Sequence, residues 1–170
     1  MKRIIMVAAS ALLACSAPQA VDPVVTHEHQ LTADYARVAT AETNAQLAAA
    51  RAATARYQNI EQALADGFVD INVFMPGMGH HFLNEQRLDV NFEAGAPELL
   101  VYNLEPNGRY RLVALEYAVP TALTATPPAG FTGDADSWDE NKTFSLWTLH
   151  AWVWLDNPDG VFAPFNPRLQ

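Results

Sequence analysis

Glu116 and His150 stand out because each falls among hydrocarbon neighbours in a segment patterned like a β-strand. In the stretch 109–119, Glu116 shares its predicted face with Tyr110, Leu112, Ala114 and Ala118. In the stretch 144–155, His150 shares its face with Phe144, Leu146, Thr148, Trp152 and Trp154. A buried carboxylate is costly unless it is paired, protonated or bound to a cation. His81 brings a third candidate, at the end of a loop shaped by Pro76, Gly77 and Gly79. Neighbours on an extended segment point to opposite sides, so only one of His80 and His81 faces inward. Two histidines and a carboxylate are a recurrent minimal set for Zn²⁺ or non-haem Fe²⁺, with positions left open for water or substrate. The expected site is therefore His81, Glu116 and His150 around a divalent Zn, Cu or Fe, with His80 the weaker candidate. The helical H-E-x-x-H spacing is absent. The same residues also admit a plainer arrangement, in which Glu116 and His150 form one hydrogen-bonded pair and His81 merely caps its loop.

Other chemistries find less support. Cys15 is the only cysteine, which excludes Cys-based metal sites, thiol nucleophiles in the domain and internal disulfides. Ser137 and Ser145 lack a nucleophile-elbow context, and no Gly-rich phosphate loop is present. Asp134/Asp136 and Asp139/Glu140 read as solvated charges in a polar loop without EF-hand spacing. His27-Glu28-His29 puts two rings on one side of an extended linker, with nothing nearby to hold their geometry. Trp138, Trp147, Trp152 and Trp154, with Phe162 and Phe165, offer a glycan-binding platform as an alternative function, although a strand apolar on both faces is normally core. Enzymatic activity is left open.

The N-terminus bears on location. Lys2 and Arg3 precede a ten-residue apolar run, Ile4 to Leu13, which has the layout of a secretory signal and is too short for a bilayer span of about 20 residues. Leu12-Leu13-Ala14-Cys15 resembles the lipobox of bacterial lipoproteins, so cleavage is expected after residue 14 with acylation of Cys15. Ordinary cleavage near Ala17-Pro18-Gln19-Ala20 is the alternative. Two or more acyl chains give stable anchoring, at about 0.8 kcal/mol per buried methylene. Ser16 stands where inner-membrane lipoproteins carry aspartate, which points to the outer membrane. Loss of residues 1–14 removes Lys2 and Arg3 and leaves 8 Lys and Arg against 19 Asp and Glu, a net charge of −11. That charge disfavours nucleic acid and electrostatic adhesion to an anionic membrane.

The elements that must position the site follow a simple order. Residues 15–30 read as a tether, rich in proline and polar residues. From Thr32 to about Tyr57 an Ala-rich stretch without Gly or Pro predicts a helix, either packed on the domain or projecting as a spacer. Asn59 has the form of a cap for a second helix with a face of Ile60, Leu64 and Phe68, stopped at Asp66-Gly67. Val69 to Phe74 alternates as a half-buried strand. Leu99 to Leu104 and Arg109 to Val119 form a hairpin through Glu105-Pro106-Asn107-Gly108. Residues 120–142 read as a long surface loop, and Phe144 to Leu155 as a central strand. Asn157-Pro158-Asp159-Gly160 is a further turn, before Val161 to Pro167 close the domain. Helices first and strands after predict an α+β domain over 31–170, with a largely antiparallel sheet.

Four motifs carry a resemblance. They are Met78-Gly79-His80-His81-Phe82-Leu83-Asn84, then Pro97-Glu98-Leu99-Leu100-Val101-Tyr102, then Leu112-Val113-Ala114-Leu115-Glu116-Tyr117, and finally Leu149-His150-Ala151-Trp152-Val153-Trp154 with Asn157-Pro158-Asp159-Gly160-Val161-Phe162 and Asn166-Pro167. In this order, from about Tyr57 to Pro167, the chain resembles a family of uncharacterised exported bacterial proteins. The resemblance implies no activity. It does imply that His81, Glu116 and His150 stand at shared positions and that His80 does not. It also implies a missing disulfide, since Val73-Phe74 and Arg168-Leu169-Gln170 stand where relatives often carry cysteines. Shared ionisable positions inside a core ask for a function. The expectation is a lipid-anchored envelope protein that binds a divalent metal, with an interaction module for a partner protein or cell-wall glycan as the alternative.

Overall fold

The computed structural model describes residues 39–169. The signal over 1–14, Cys15, the tether with His27 and His29, and the start of the Ala-rich segment lie outside the described residues. Within them the architecture is α+β, as the order of elements predicts. A long helix, α1 (Ala41–Thr54), continues into a 3-10 turn (Ala55–Gln58), and a short helix, α2 (Ile60–Ala65), follows. Six strands come next: β1 (Val69–Met75), β2 (Gly79–Leu83), β3 (Leu99–Leu104), β4 (Tyr110–Pro120), β5 (Asp139–Asn141) and β6 (Leu146–Ala151). They form one antiparallel sheet in the order β1-β2-β3-β4-β6-β5.

Thr40 and Thr43 exchange side-chain-to-backbone hydrogen bonds at 3.1 Å in a reciprocal cap, so a helix starts at Ala41, inside the Ala-rich stretch. Thr43, Leu47, Ala50 and Thr54 recur at helical spacing and are all buried. Small side chains let the helix lie close to the domain, and it is packed rather than projecting. Arg51 reinforces this by donating to the Val153 carbonyl while its guanidinium lies 4.3 Å from the Trp154 ring centre.

In α2 the expected face is only partly right. Asn59 caps it, accepting from the Glu61 N–H at 3.1 Å, but Ala63 is buried while Leu64 is exposed. With only six residues, the helix buries its i+3 position, and the chain turns away at Gly67 before Leu64 reaches the core.

The helices cover one face of the sheet. Leu100, Tyr102, Leu115, Tyr117 and Leu149 point into this layer with Phe68 and Phe162. The two tyrosine hydroxyls are satisfied there, Tyr102 donating to the Tyr57 carbonyl and Tyr117 to that of Ala94. The segment 120–142 is not purely surface loop. Phe131 inserts between Phe92 and Phe162, with ring centres 4.9 and 5.0 Å away, and residues 139–141 pair with β6. One aromatic side chain amid Pro, Gly and Asp carries no periodicity, so the pattern conceals it. The last strand is shorter than expected and second from the sheet edge, since β6 ends at Ala151 and β5 flanks it.

Candidate metal centre

The face opposite the helices holds the candidate residues, and three backbone irregularities aim them. Gly79 opens β2 with φ +117°, where an added Cβ would lie 2.5 Å from the Tyr102 carbonyl oxygen. Only glycine allows β2 to approach β3 so closely two residues before His81. In β1, Asp70 pairs with Phe82 and Phe74 with His80, so three residues, Ile71 to Val73, stand opposite the single His81. Asn72 takes φ +57° in this bulge, and its N–H is held by the Asp70 carboxylate at 2.8 Å. The bulge leaves the Val73 carbonyl free of the ladder, and it accepts from Nδ1 of His81 at 3.1 Å. A carbonyl only accepts, so Nδ1 bears the proton and Nε2 of His81 keeps its lone pair.

The third irregularity corrects an expectation. Val101 pairs with Ala114 but Tyr102 with Leu112, which leaves Val113 as an extra residue in β4. Alternation therefore flips: Tyr110 and Leu112 face the helices, whereas Ala114 and Glu116 face the other way. Glu116 does not share a face with Tyr110 and Leu112, although strict alternation predicts it. On β6, His150 pairs directly with Glu116, with Thr148 and Leu146 on the same face. Trp154 lies past the end of the strand against the helix layer, so it leaves the face of His150.

The three side chains meet. His81 Nε2 lies 3.4 Å from one Glu116 oxygen and His150 Nε2 3.5 Å from the other. One donor atom from each residue falls within 4.8 Å of both others. All three are buried, at 4–6% exposure. His80 takes no part; its ring packs on Phe74 and Tyr110 at 4.9 and 5.4 Å. The plainer arrangement is not what is found. Glu116 and His150 stand 3.5 Å apart without a hydrogen bond, and the buried Nε2 of His150 has no hydrogen-bond partner among the described residues. His81 does bond its neighbouring strand, but through the nitrogen that faces away from Glu116.

The electrostatics follow from burial. Desolvation pushes the Glu116 carboxyl up from 4.5 to about 8. Desolvation, with a smaller contribution from His81, pushes His150 down from 6.5 to about 3. His81 is also lowered, chiefly by burial. The short Glu116–histidine distances would suit ion pairs, but desolvation wins, and at neutral pH the three groups are uncharged. Such a cluster presents a protonated acid and imidazole lone pairs at one point. A divalent cation there replaces the carboxyl proton and gives the orphaned His150 nitrogen a partner.

A cleft of about 760 Å³ opens onto this point, walled by Ile71, Val73, Leu83, Leu99 and Leu146 with Phe165 at its rim. These wall residues belong to the site although sequence reasoning did not include them. The alternation of Ile71 and Val73 in the sequence was the one available signal for them. Other polar residues of the four motifs are structural. Asn84 donates to the Asp66 carbonyl, Glu98 accepts from the Ala118 N–H, and Asn157 and Asn166 cross-brace residues 156–166. Burial raises Glu98 to about 7. The tryptophans form no shared platform. Trp152 is buried with Nε1 donating to Ala163, and Trp154 lies beneath Arg51 on the opposite layer. No family model, curated protein or solved structure matches this chain.

Proposed function

We propose that the domain binds one divalent transition metal through His81, Glu116 and His150, in a protein held at the bacterial envelope by an acylated Cys15. One observation carries the metal reading. Nε2 of His150, buried and without a hydrogen-bond partner among the described residues, points to the same small volume as Glu116 and the lone pair of His81. Three ligands of a tetrahedral ion with bonds of about 2.1 Å stand about 3.4 Å apart. The Glu116–histidine separations, 3.4 and 3.5 Å, run to the two different carboxylate oxygens, and one donor atom from each residue lies within 4.8 Å of the others, so the set draws in modestly to reach that spacing around one ion. The Val73 carbonyl orients His81 as an outer partner orients a metal-bound imidazole. Two imidazoles and a carboxylate suit Zn²⁺, Fe²⁺ or Cu²⁺, and the open cleft leaves room for water or a ligand at the remaining positions. Binding or sensing is favoured over catalysis, because the other ionisable residues lining the cleft, Asp139, Glu140 and Lys142, lie on or next to the edge strand β5 rather than in the buried cluster.

The resemblance to exported bacterial proteins supports the same three residues and the envelope location. The test is metal content after dialysis against a dilute metal buffer, comparing the full chain with Glu116→Gln and His150→Ala. The parent should hold one equivalent, and both variants should bind at least about 100-fold more weakly. Glu116→Gln keeps the shape and removes the charge, so it separates lost ligation from lost folding. Equal and negligible metal in all three proteins would end the proposal.

A further inference from the structure

The cleft above the three residues combines a mostly apolar wall with a buried polar cluster at its base and a polar edge at 139–143, and that combination selects a ligand. Val73, Leu83, Leu99 and Leu146 line its interior, and the rim adds Phe144 and Phe165, each about half exposed (49% and 50%). Large apolar side chains left at a cleft mouth mark a binding surface more often than an ordinary one. Lys142 is the one lysine or arginine among the lining residues. It is 83% exposed and lies 3.9 Å from the Glu140 carboxylate, so it offers no fixed charge inside. The acidic mouth, with Asp139 and Glu140, disfavours polyanions.

Resting on the metal reading above, we infer that the cleft binds an alkyl carboxylate, its head on the bound metal and its chain along the apolar wall. The charge fits. A divalent ion held by one carboxylate and two neutral imidazoles leaves a net charge of +1 in a buried place, and a monoanionic head neutralises it. The shape fits as well, because a cleft of about 760 Å³ exceeds what a metal-bound water or acetate would fill. Each methylene moved from water onto such a wall strengthens binding, so affinity must rise with chain length.

The experiment uses the full chain loaded with Co²⁺, whose visible ligand-field bands report replacement of water by a carboxylate. Acetate, butanoate, hexanoate and octanoate are titrated in turn. The concentration for half the spectral change should fall at least about tenfold from acetate to octanoate. Phe144→Asp, at the exposed rim, should flatten this gradient while leaving the cobalt spectrum and the acetate response in place. Equal responses to acetate and octanoate would overturn the ligand assignment and leave the metal site standing. A gradient that survives Phe144→Asp would place the chain elsewhere and overturn it too. Absence of any cobalt bands from the parent protein would overturn the metal site and this inference together.

Discussion

Glu116 is a carboxyl group buried between two neutral histidines, and its proton is the simplest handle on the site. In the unfolded chain it ionises near 4.5, and in the folded domain near 8. Between these values the folded state keeps a proton that the unfolded state has lost, so stability falls as pH rises through that window. His150 works in the opposite sense. Held near 3 rather than 6.5, it stays neutral while the unfolded chain takes up a proton, so stability falls as pH drops below 6.5. His81, also lowered, adds to the same side. The opposing slopes of Glu116 and His150 largely cancel between about 4.5 and 6.5, Glu98 adds to the Glu116 slope up to about 7, and Glu116 dominates from 7 to 8. Thermal or denaturant melts of metal-free protein should lose about 1 kcal/mol over that last interval, at 1.36 kcal/mol per proton and pH unit. Glu116→Gln should remove the loss. Metal affinity should climb about tenfold per pH unit up to about 8, with roughly one proton released per ion near pH 7 in calorimetry run in buffers of different ionisation enthalpy. These residues were legible in the sequence because an acid and an imidazole interrupt runs of hydrocarbon. Their three-way meeting was not legible, since spacing along the chain says nothing about which strands become neighbours.

At the scale of elements, strand irregularities decide where the side chains point. The bulge at Val113 turns Glu116 away from the helix layer, and the bulge over Ile71 to Val73 supplies the carbonyl that fixes His81. Neither follows from alternation, which is why the predicted face of Glu116 included Tyr110 and Leu112. Gly79 is the element most open to test. Gly79→Ala meets both a φ of +117° and a carbonyl oxygen 2.5 Å from the new Cβ, so β2 must shift against β3. Its cost should be at least about 2 kcal/mol in denaturant unfolding, with a further loss of metal affinity because His81 moves with β2. Gly108→Ala is the control. Its added Cβ meets nothing within 4 Å, so it bears only the strain of φ +79° and should leave metal binding intact. The caps at Thr40 and Asn59 show the limits of composition. The Asn59 cap was readable from its pattern, whereas the Thr40–Thr43 pair lies inside an alanine-rich run that reads as uninterrupted helix.

For the whole molecule, the order of helices then strands was enough to anticipate an α+β domain with an antiparallel sheet. The sheet separates two layers by face: helices and their aromatic packing on one side, the His81–Glu116–His150 cluster and the cleft on the other. Among the described residues no helix is long and apolar enough to cross a membrane. Membrane attachment in this account depends on Cys15 alone. Cys15→Ser should therefore move the protein from the membrane fraction to the soluble fraction after expression in a bacterial host, and abolish its labelling by radioactive palmitate. Continued labelling of the variant would contradict the lipid anchor without touching the metal site. X-ray absorption at the zinc edge of the loaded full chain reads the ligand set itself. With His81, Glu116 and His150 on the ion, the spectrum should show two imidazole nitrogens and light oxygen scatterers at about 2.0–2.1 Å, with the imidazole signal reduced in His150→Ala. An all-oxygen shell, or a spectrum unchanged by that substitution, would contradict that ligand set.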